Sequence, residues 1–205
     1  MLYFATASGP LVREAMDAGK LGQIVTPAAG NRLEAGRVWC GDNSVFGDKY
    51  PGDAEYHRWI QRFTEHRAAC RFIVAPDVVC DAAATLERSA PHFAPVRALG
   101  FPVALVGQNG LEDLRVPWGE FDAFFIGGDD AWKEGVAARE LATEARARGK
   151  WVHMGRVNSR RRLAYAKSIG CHSADGTYLA FGPRTNLPKL LRWLDEINGV
   201  GMLSA

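Results

Sequence analysis

Gly100-Phe101-Pro102-Val103-Ala104-Leu105-Val106-Gly107-Gln108-Asn109-Gly110 carries the pattern that decides the fold. A glycine stops a helical stretch, a short apolar run follows at once, and the run ends beside a polar side chain. The same pattern recurs along the chain. Its apolar runs are Leu2–Ala5, Gln23–Val25, Arg37–Cys40, Arg71–Ala75, Pro102–Val106, Phe121–Ile126, Trp151–Met154 and Gly170–Ala174. At or just past their ends lie Ser8, Thr26, Asp42, Asp77, Gln108, Gly127-Gly128, Gly155 and Asp175. Strands alternating with helices predict an α/β chain with a parallel sheet. A count of eight favours a closed TIM-like (β/α)8 barrel over an open sheet, and such a barrel gathers its strand ends on one rim.

The connecting stretches support this reading. Leu11–Gly19 has the form of a short helix, and Asp53–Cys70 places Tyr56, Ile60, Phe63 and Arg67 along one helical face. Asp81 is placed to cap a helix over Ala82–Leu99, which Pro91 and Pro95 are expected to break or bend. Asp129–Gly149 reads as one helix with an Ala137, Leu141, Ala145 stripe. Ser159 caps Arg160–Ile169, and Asn186 caps a last helix to about Ile197. No linker or repeat divides residues 1–205, so one domain is expected.

Composition sets limits on function. The chain has 205 residues, 47% hydrophobic and 23% charged, enough to bury a sizeable core. Lys+Arg 25 against Asp+Glu 23 leaves a net charge of +2, so bulk charge does not announce a nucleic-acid partner. Cys40, Cys70, Cys80 and Cys171 form no Cys-x-x-Cys pair and no metal spacing with the histidines. No metal site is expected, and scattered thiols suit a reducing cytoplasm. The N-terminus lacks the features of a signal peptide, and no run is long enough to span a membrane.

The candidate chemistry lies at the strand ends. Asp175, followed by Gly176, can act as a nucleophile or acid/base, or simply form an Asp-Gly turn. Asp77 can accept two N–H bonds or serve as a loop cap, and Gln108 can read a carbonyl beside an N–H or occupy a turn. Asp42 precedes Phe46, whose ring can cover a flat ligand, and Met154 can cover the opposite face. Both are alternatively core residues. Arg156, Arg160, Arg161, Arg162 and Lys167 form the densest basic run, suited to holding phosphates or to a solvated helix face. His57, His66, His92, His153 and His172 show no pairing, and His172 is assigned a structural role. Gly127-Gly128 lacks the spacing of a dinucleotide site.

Taken in order, these segments resemble the tRNA-guanine transglycosylase superfamily, above all its small DpdA-type 7-deazaguanine DNA transglycosylases of phages and bacteria. The likeness rests on Ile24–Gly30, Asp42–Phe46, Val74–Asp77, Val106–Gly110, Ile126–Gly128, His153–Gly155 and Asp175. Asn43-Ser44-Val45 departs from the family's Ser-Gly-Gly, and the family's C-terminal Cys/His zinc region has no counterpart.

The resemblance implies Asp175 as nucleophile on a sugar C1′ and Asp42 as catalytic acid/base or base-binding carboxylate. It implies Asp77, Gln108 and the Gly127, Gly128 and Gly155 segments as base-binding, with Phe46 and Met154 as stacking faces. Arg156, Arg160, Arg161, Arg162 and Lys167 would hold the phosphates flanking a flipped guanine. The expected reaction is exchange of guanine in DNA for a preQ0-like 7-deazaguanine, without metal or redox cofactor. The expected partners are DNA rather than tRNA, and a small 7-deazaguanine base; the family's tRNA enzymes often pair, which leaves homo-oligomer formation open. The expected location is the cytoplasm, that of a bacterial host if phage-encoded. An N-glycosidase or nucleoside hydrolase, an RNA base-exchange enzyme and a non-catalytic nucleotide- or DNA-binding barrel remain the competing readings.

Overall fold

A computed structural model describes residues 1–30 and 32–199. Residues 31 and 200–205 of the expected domain lie outside the described residues. Eight strands close into one parallel barrel in simple chain order. They are β1 (Leu2–Ala5), β2 (Gly22–Val25), β3 (Trp39–Gly41), β4 (Cys70–Val74), β5 (Val103–Gly107), β6 (Ala123–Ile126), β7 (Trp151–Met154) and β8 (Ser173–Asp175). Closure is direct: Leu2, Tyr3 and Phe4 of β1 pair with Ser173, Ala174 and Asp175 of β8.

Every expected run becomes a strand, with shifts of a few residues at the ends. Strand parity then sorts the side chains. Phe4, Ile24, Cys40, Phe72, Val74, Ala104, Val106 and Ala123 form one cluster, with Phe125 and Trp151 packed against it. This is the barrel lumen. The intervening residues, among them Tyr3, Ile73, Leu105, Phe124, Val152 and Met154, join the larger cluster shared with the helices.

Among the described residues, seven α-helices surround the barrel: α1 (Pro10–Asp17), α2 (Asp53–Gln61), α3 (Ala82–Ala98), α4 (Asp130–Lys133), α5 (Val136–Ala147), α6 (Arg160–Ser168) and α7 (Pro183–Asn198). The link from β2 to β3 has no helix among its described residues. Buried Arg37 braces it instead, through Asp17 at 2.6 Å and Gln23 at 3.0 Å.

Four helix expectations are corrected. Pro91 and Pro95 do not break α3. Both lie on its exposed face, as does Glu87, so the carbonyls that lose an N–H partner turn toward water. Asp129–Gly149 is two helices, because Gly135 ends the first and N-caps the second. Helix α2 stops at Gln61, and Thr64–Ala69 continues as a 3₁₀ helix. Helix α7 starts at Pro183, and the Asn186 amide instead donates to the Tyr178 and Phe181 carbonyls. Asp81 and Ser159 do cap α3 and α6, accepting from Ala84 and Arg162 N–H. No helix among the described residues is long and apolar enough to cross a membrane.

Candidate functional site

The loops after all eight strands line one cavity of about 520 Å³ at the C-terminal end of the barrel. Thr6 comes from the first loop, Thr26 from the second, Asp42, Phe46 and Lys49 from the third, and Asp77 from the fourth. Gln108, the Gly127-Gly128 pair, the Gly155-Arg156 pair and the Asp175-Gly176 pair complete the ring. Loops gather there because each parallel strand delivers its C-terminal end to the same rim.

Asp42 lies deep in the cavity. Its Oδ1 accepts the Ser44 N–H at 2.8 Å. Burial pushes its pKa up to about 7, against the Ser44 bond, with nearby Asp175 and Asp77 adding to the rise. The Ser44 backbone is left-handed (φ 66), which turns the loop so that its N–H meets the carboxylate. Asp42 therefore changes charge near neutrality.

Asp77 is fixed from both sides. Asn43 Nδ2 donates to Oδ1 at 2.8 Å, and Gln108 Nε2 donates to Oδ2 at 2.7 Å. Burial raises its pKa while these two bonds oppose the rise. Gln108 is similarly occupied: its Oε1 accepts Cys80 N–H at 2.9 Å and Gly128 N–H at 2.8 Å. Gly127 N–H is donated to the Gly107 carbonyl at 2.9 Å.

This alters the expected base-reading edge. The Gln108 carbonyl and both glycine N–H groups are spent within the protein. One Gln108 N–H and the remaining lone pairs of Asp77 are left for a ligand.

Asp175 closes the ring at the end of β8, its side chain 18% exposed. Its carbonyl accepts Val157 N–H at 2.6 Å. The Val157 carbonyl in turn takes the Tyr3 hydroxyl at 3.0 Å. A Cβ on Gly176 would lie 2.3 Å from Asn158 Oδ1 and 2.7 Å from Tyr3 Oη, so this turn requires glycine. Asp175 Oδ1 is 3.0 Å from His153 Nε2. The histidine expected to be unpaired is thus the direct partner of the candidate catalytic carboxylate. Its signal was available in strand parity: His153 is register partner to Ser173, two residues before Asp175.

Other expectations are corrected by geometry. Met154 is 2% exposed and packs outside the barrel, so it offers no stacking face to the cavity. Parity is the reason: once His153 faces inward, Met154 faces the helices. Phe46 is 64% exposed at the cavity mouth, and the Arg156 guanidinium sits 4.4 Å from its ring centre. Arg156 also donates to the Gly128 carbonyl.

Of the expected basic run, Arg156 alone lines the cavity. Arg160 pairs with Glu196 at 2.9 Å, and Arg161 with Glu134 at 2.6 Å. Arg162 pairs with Asp130 and, at 3.0 Å, with Glu134. These three guanidiniums tie α6 to its neighbours rather than facing a phosphate. Lys167 lies at the other end of the barrel, in a hollow with Leu2, Trp151 and His172. Lys49 at the rim was not anticipated.

Among the described residues, no three His, Cys, Asp or Glu side chains gather as a metal-ligand set.

No family model matches the chain, and no curated protein does. Solved structures do. A complex described as the PaMucR phosphodiesterase with c-di-GMP has TM-score 0.43 and 14% identity, over 69% of this chain and 60% of that one. The Bacillus subtilis YkuI protein, with an EAL domain and in complex with substrate c-di-GMP and calcium, has TM-score 0.49 and 15% identity. That match covers 92% of this chain and 47% of the other, so this chain spans about half to three fifths of these proteins. Both are described by a phosphodiesterase, an EAL domain or c-di-GMP, and neither as a guanine transglycosylase. The expected exchange of guanine in DNA for a 7-deazaguanine is corrected on that finding.

Proposed function

We propose that the rim cavity is a hydrolytic site for a nucleotide-class ligand, with Asp42 as general acid and Asp175 as the base for water. One observation carries the reading: two carboxylates share one cavity and have different partners, a backbone N–H on Asp42 and the His153 ring on Asp175. Asp42 is desolvated and holds its proton up to about pH 7. Asp175 receives a hydrogen bond on one oxygen and opens to the cavity. Paired carboxylates in contrasting surroundings are how one pocket supplies both acid and base.

The ligand class follows from the charge layout. Lys49, Arg156 and the Phe46 ring line the same cavity as Asp42, Asp77 and Asp175. A flat, anionic molecule fits this lining, with its ring against Phe46 and its phosphate near Arg156 and Lys49. The cavity has the volume of ordinary small-molecule sites. In the reaction, Asp175 takes a proton from water, and the resulting oxygen attacks the electrophilic centre. The bond to the leaving atom breaks, and the Asp42 proton passes to that atom. Solvent then restores both carboxyl groups.

The test is a panel of purine nucleosides, mononucleotides and cyclic dinucleotides, assayed with wild type, Asp42→Asn and Asp175→Asn. Turnover of at least one class, lost in both variants, is expected. Binding without turnover reduces the cavity to a binding pocket, and turnover surviving both substitutions overturns the assignment.

A further inference from the structure

His153 is a polar ring set among the apolar side chains of the lumen. It is fully buried. Its ring lies 4.5 Å from Phe125, 5.1 Å from Phe72 and 5.9 Å from Phe4, centre to centre. A polar ring is tolerated in such a place only when its nitrogens are hydrogen-bonded. Both are. Nδ1 lies 2.8 Å from Ser173 Oγ, and Nε2 lies 3.0 Å from Asp175 Oδ1. The chain extends one step further, because Trp151 Nε1 donates to Ser173 Oγ at 2.8 Å.

These four side chains form a zigzag across two adjacent strands. Trp151 and His153 alternate on β7, and Ser173 and Asp175 alternate on β8, all facing the lumen. The far end is anchored: the Trp151 indole stacks on His172 at 4.9 Å, with the Arg71 guanidinium 5.4 Å from its ring centre.

Donor and acceptor roles are then determined by chemistry. An indole N–H only donates, so Ser173 Oγ accepts from Trp151. The Asp175 carboxylate only accepts, so the ring places a proton on Nε2 and donates it there. With one ring proton so placed, Nδ1 accepts the single serine hydrogen.

We infer that Trp151, Ser173 and His153 form a proton-ordered relay that positions the Asp175 carboxylate. The relay pins Oδ1 and leaves Oδ2, which has no protein hydrogen bond among the described residues, turned to substrate or water. His153 is a positioning residue, not a proton carrier in the reaction. The catalytic consequence rests on the hydrolase reading; the proton order does not.

The experiment has two arms. In the first, ¹⁵N-histidine-labelled protein is examined by long-range ¹H–¹⁵N correlation near neutral pH, with His153→Gln supplying the assignment. The expected pattern for His153 is the Nε2–H tautomer, lost or mixed in Ser173→Ala. An Nδ1–H tautomer or a doubly protonated ring in wild type overturns the relay.

The second arm measures kcat and KM on any substrate whose turnover needs Asp175. Ser173→Ala and His153→Phe should lower kcat by about 10- to 100-fold with little change in KM, as small misplacements of a reactive group do. His153→Gln, whose amide can still donate to Asp175, should recover part of that loss. Unchanged kcat in Ser173→Ala, or no recovery in His153→Gln relative to His153→Phe, overturns the positioning role. If no substrate is turned over, the hydrolase reading fails while the first arm still judges the relay.

Discussion

Gln108 Nε2 donates to Asp77 Oδ2 at 2.7 Å, while Asn43 Nδ2 holds the other oxygen at 2.8 Å. A carboxylate between two amide donors cannot be replaced by an amide without conflict. Asp77→Asn turns one of its positions into a donor facing a donor. The expected cost is about 1 to 3 kcal/mol, the penalty of a buried polar group left unsatisfied. Urea unfolding measures it, and an unchanged midpoint would contradict the geometry.

Asp42 makes stability depend on pH in a defined direction. Its folded pKa of about 7 lies above the ordinary value of 3.8, so the folded state holds a proton that the unfolded state has lost. Stability from this group is therefore full at low pH and declines as pH rises from about 3.8 to about 7. The slope within that window is about 1.4 kcal/mol per pH unit. Asp42→Asn, which can still accept the Ser44 N–H, should flatten this decline. Thermal unfolding of both proteins between pH 5 and pH 8 would show it, and parallel curves would refute it.

The same titration governs turnover. As general acid, Asp42 works only in its protonated form, so kcat/KM should fall as pH rises past about 7. Asp42→Asn should remove that limb along with most of the activity. A rate that increases steadily through pH 8 would mean that Asp42 does not supply the proton.

Gly176 is a steric test of the site. Alanine there would press on Asn158, Tyr3 and the Val157 carbonyl, the groups that brace the Asp175 backbone. Gly176→Ala should destabilise by roughly 1 to 3 kcal/mol, as overpacking does. Calorimetry checks the stability, and the nucleotide panel checks whether the site is lost with it.

The arginines separate surface pairing from ligand contact. Arg161 is 69% exposed and paired with Glu134, so Arg161→Ala should change stability by less than about 1 kcal/mol. Nucleotide affinity should not respond. Arg156→Ala removes the guanidinium over Phe46 and should weaken anionic ligands about tenfold or more. Equal effects of the two substitutions on affinity would remove Arg156 from the proposed phosphate position.

The barrel was legible because its signals are local. Gly100 and Gly170 stop helices, Asp81 and Ser159 start them, and each apolar run is short enough to be a strand. The order of polar groups at the run ends was likewise readable, and Asp42, Asp77, Gln108 and Asp175 do line one cavity. The break at Gly135 and the continuity of α3 through two prolines were less legible. They depend on which helix face meets water.

The sequence by itself thus determined the architecture and the gathering of Asp42, Asp77, Gln108 and Asp175 on one rim, because strand length, caps and the parallel arrangement are set by neighbouring residues. Only the tertiary structure decided what those side chains do. It turned Met154 outward and His153 inward, engaged Gln108 with Asp77, and paired Arg160–Arg162 with acids on other elements. These outcomes depend on strand parity, register and loop path across the closed barrel, which place residues far apart in the chain within hydrogen-bond reach.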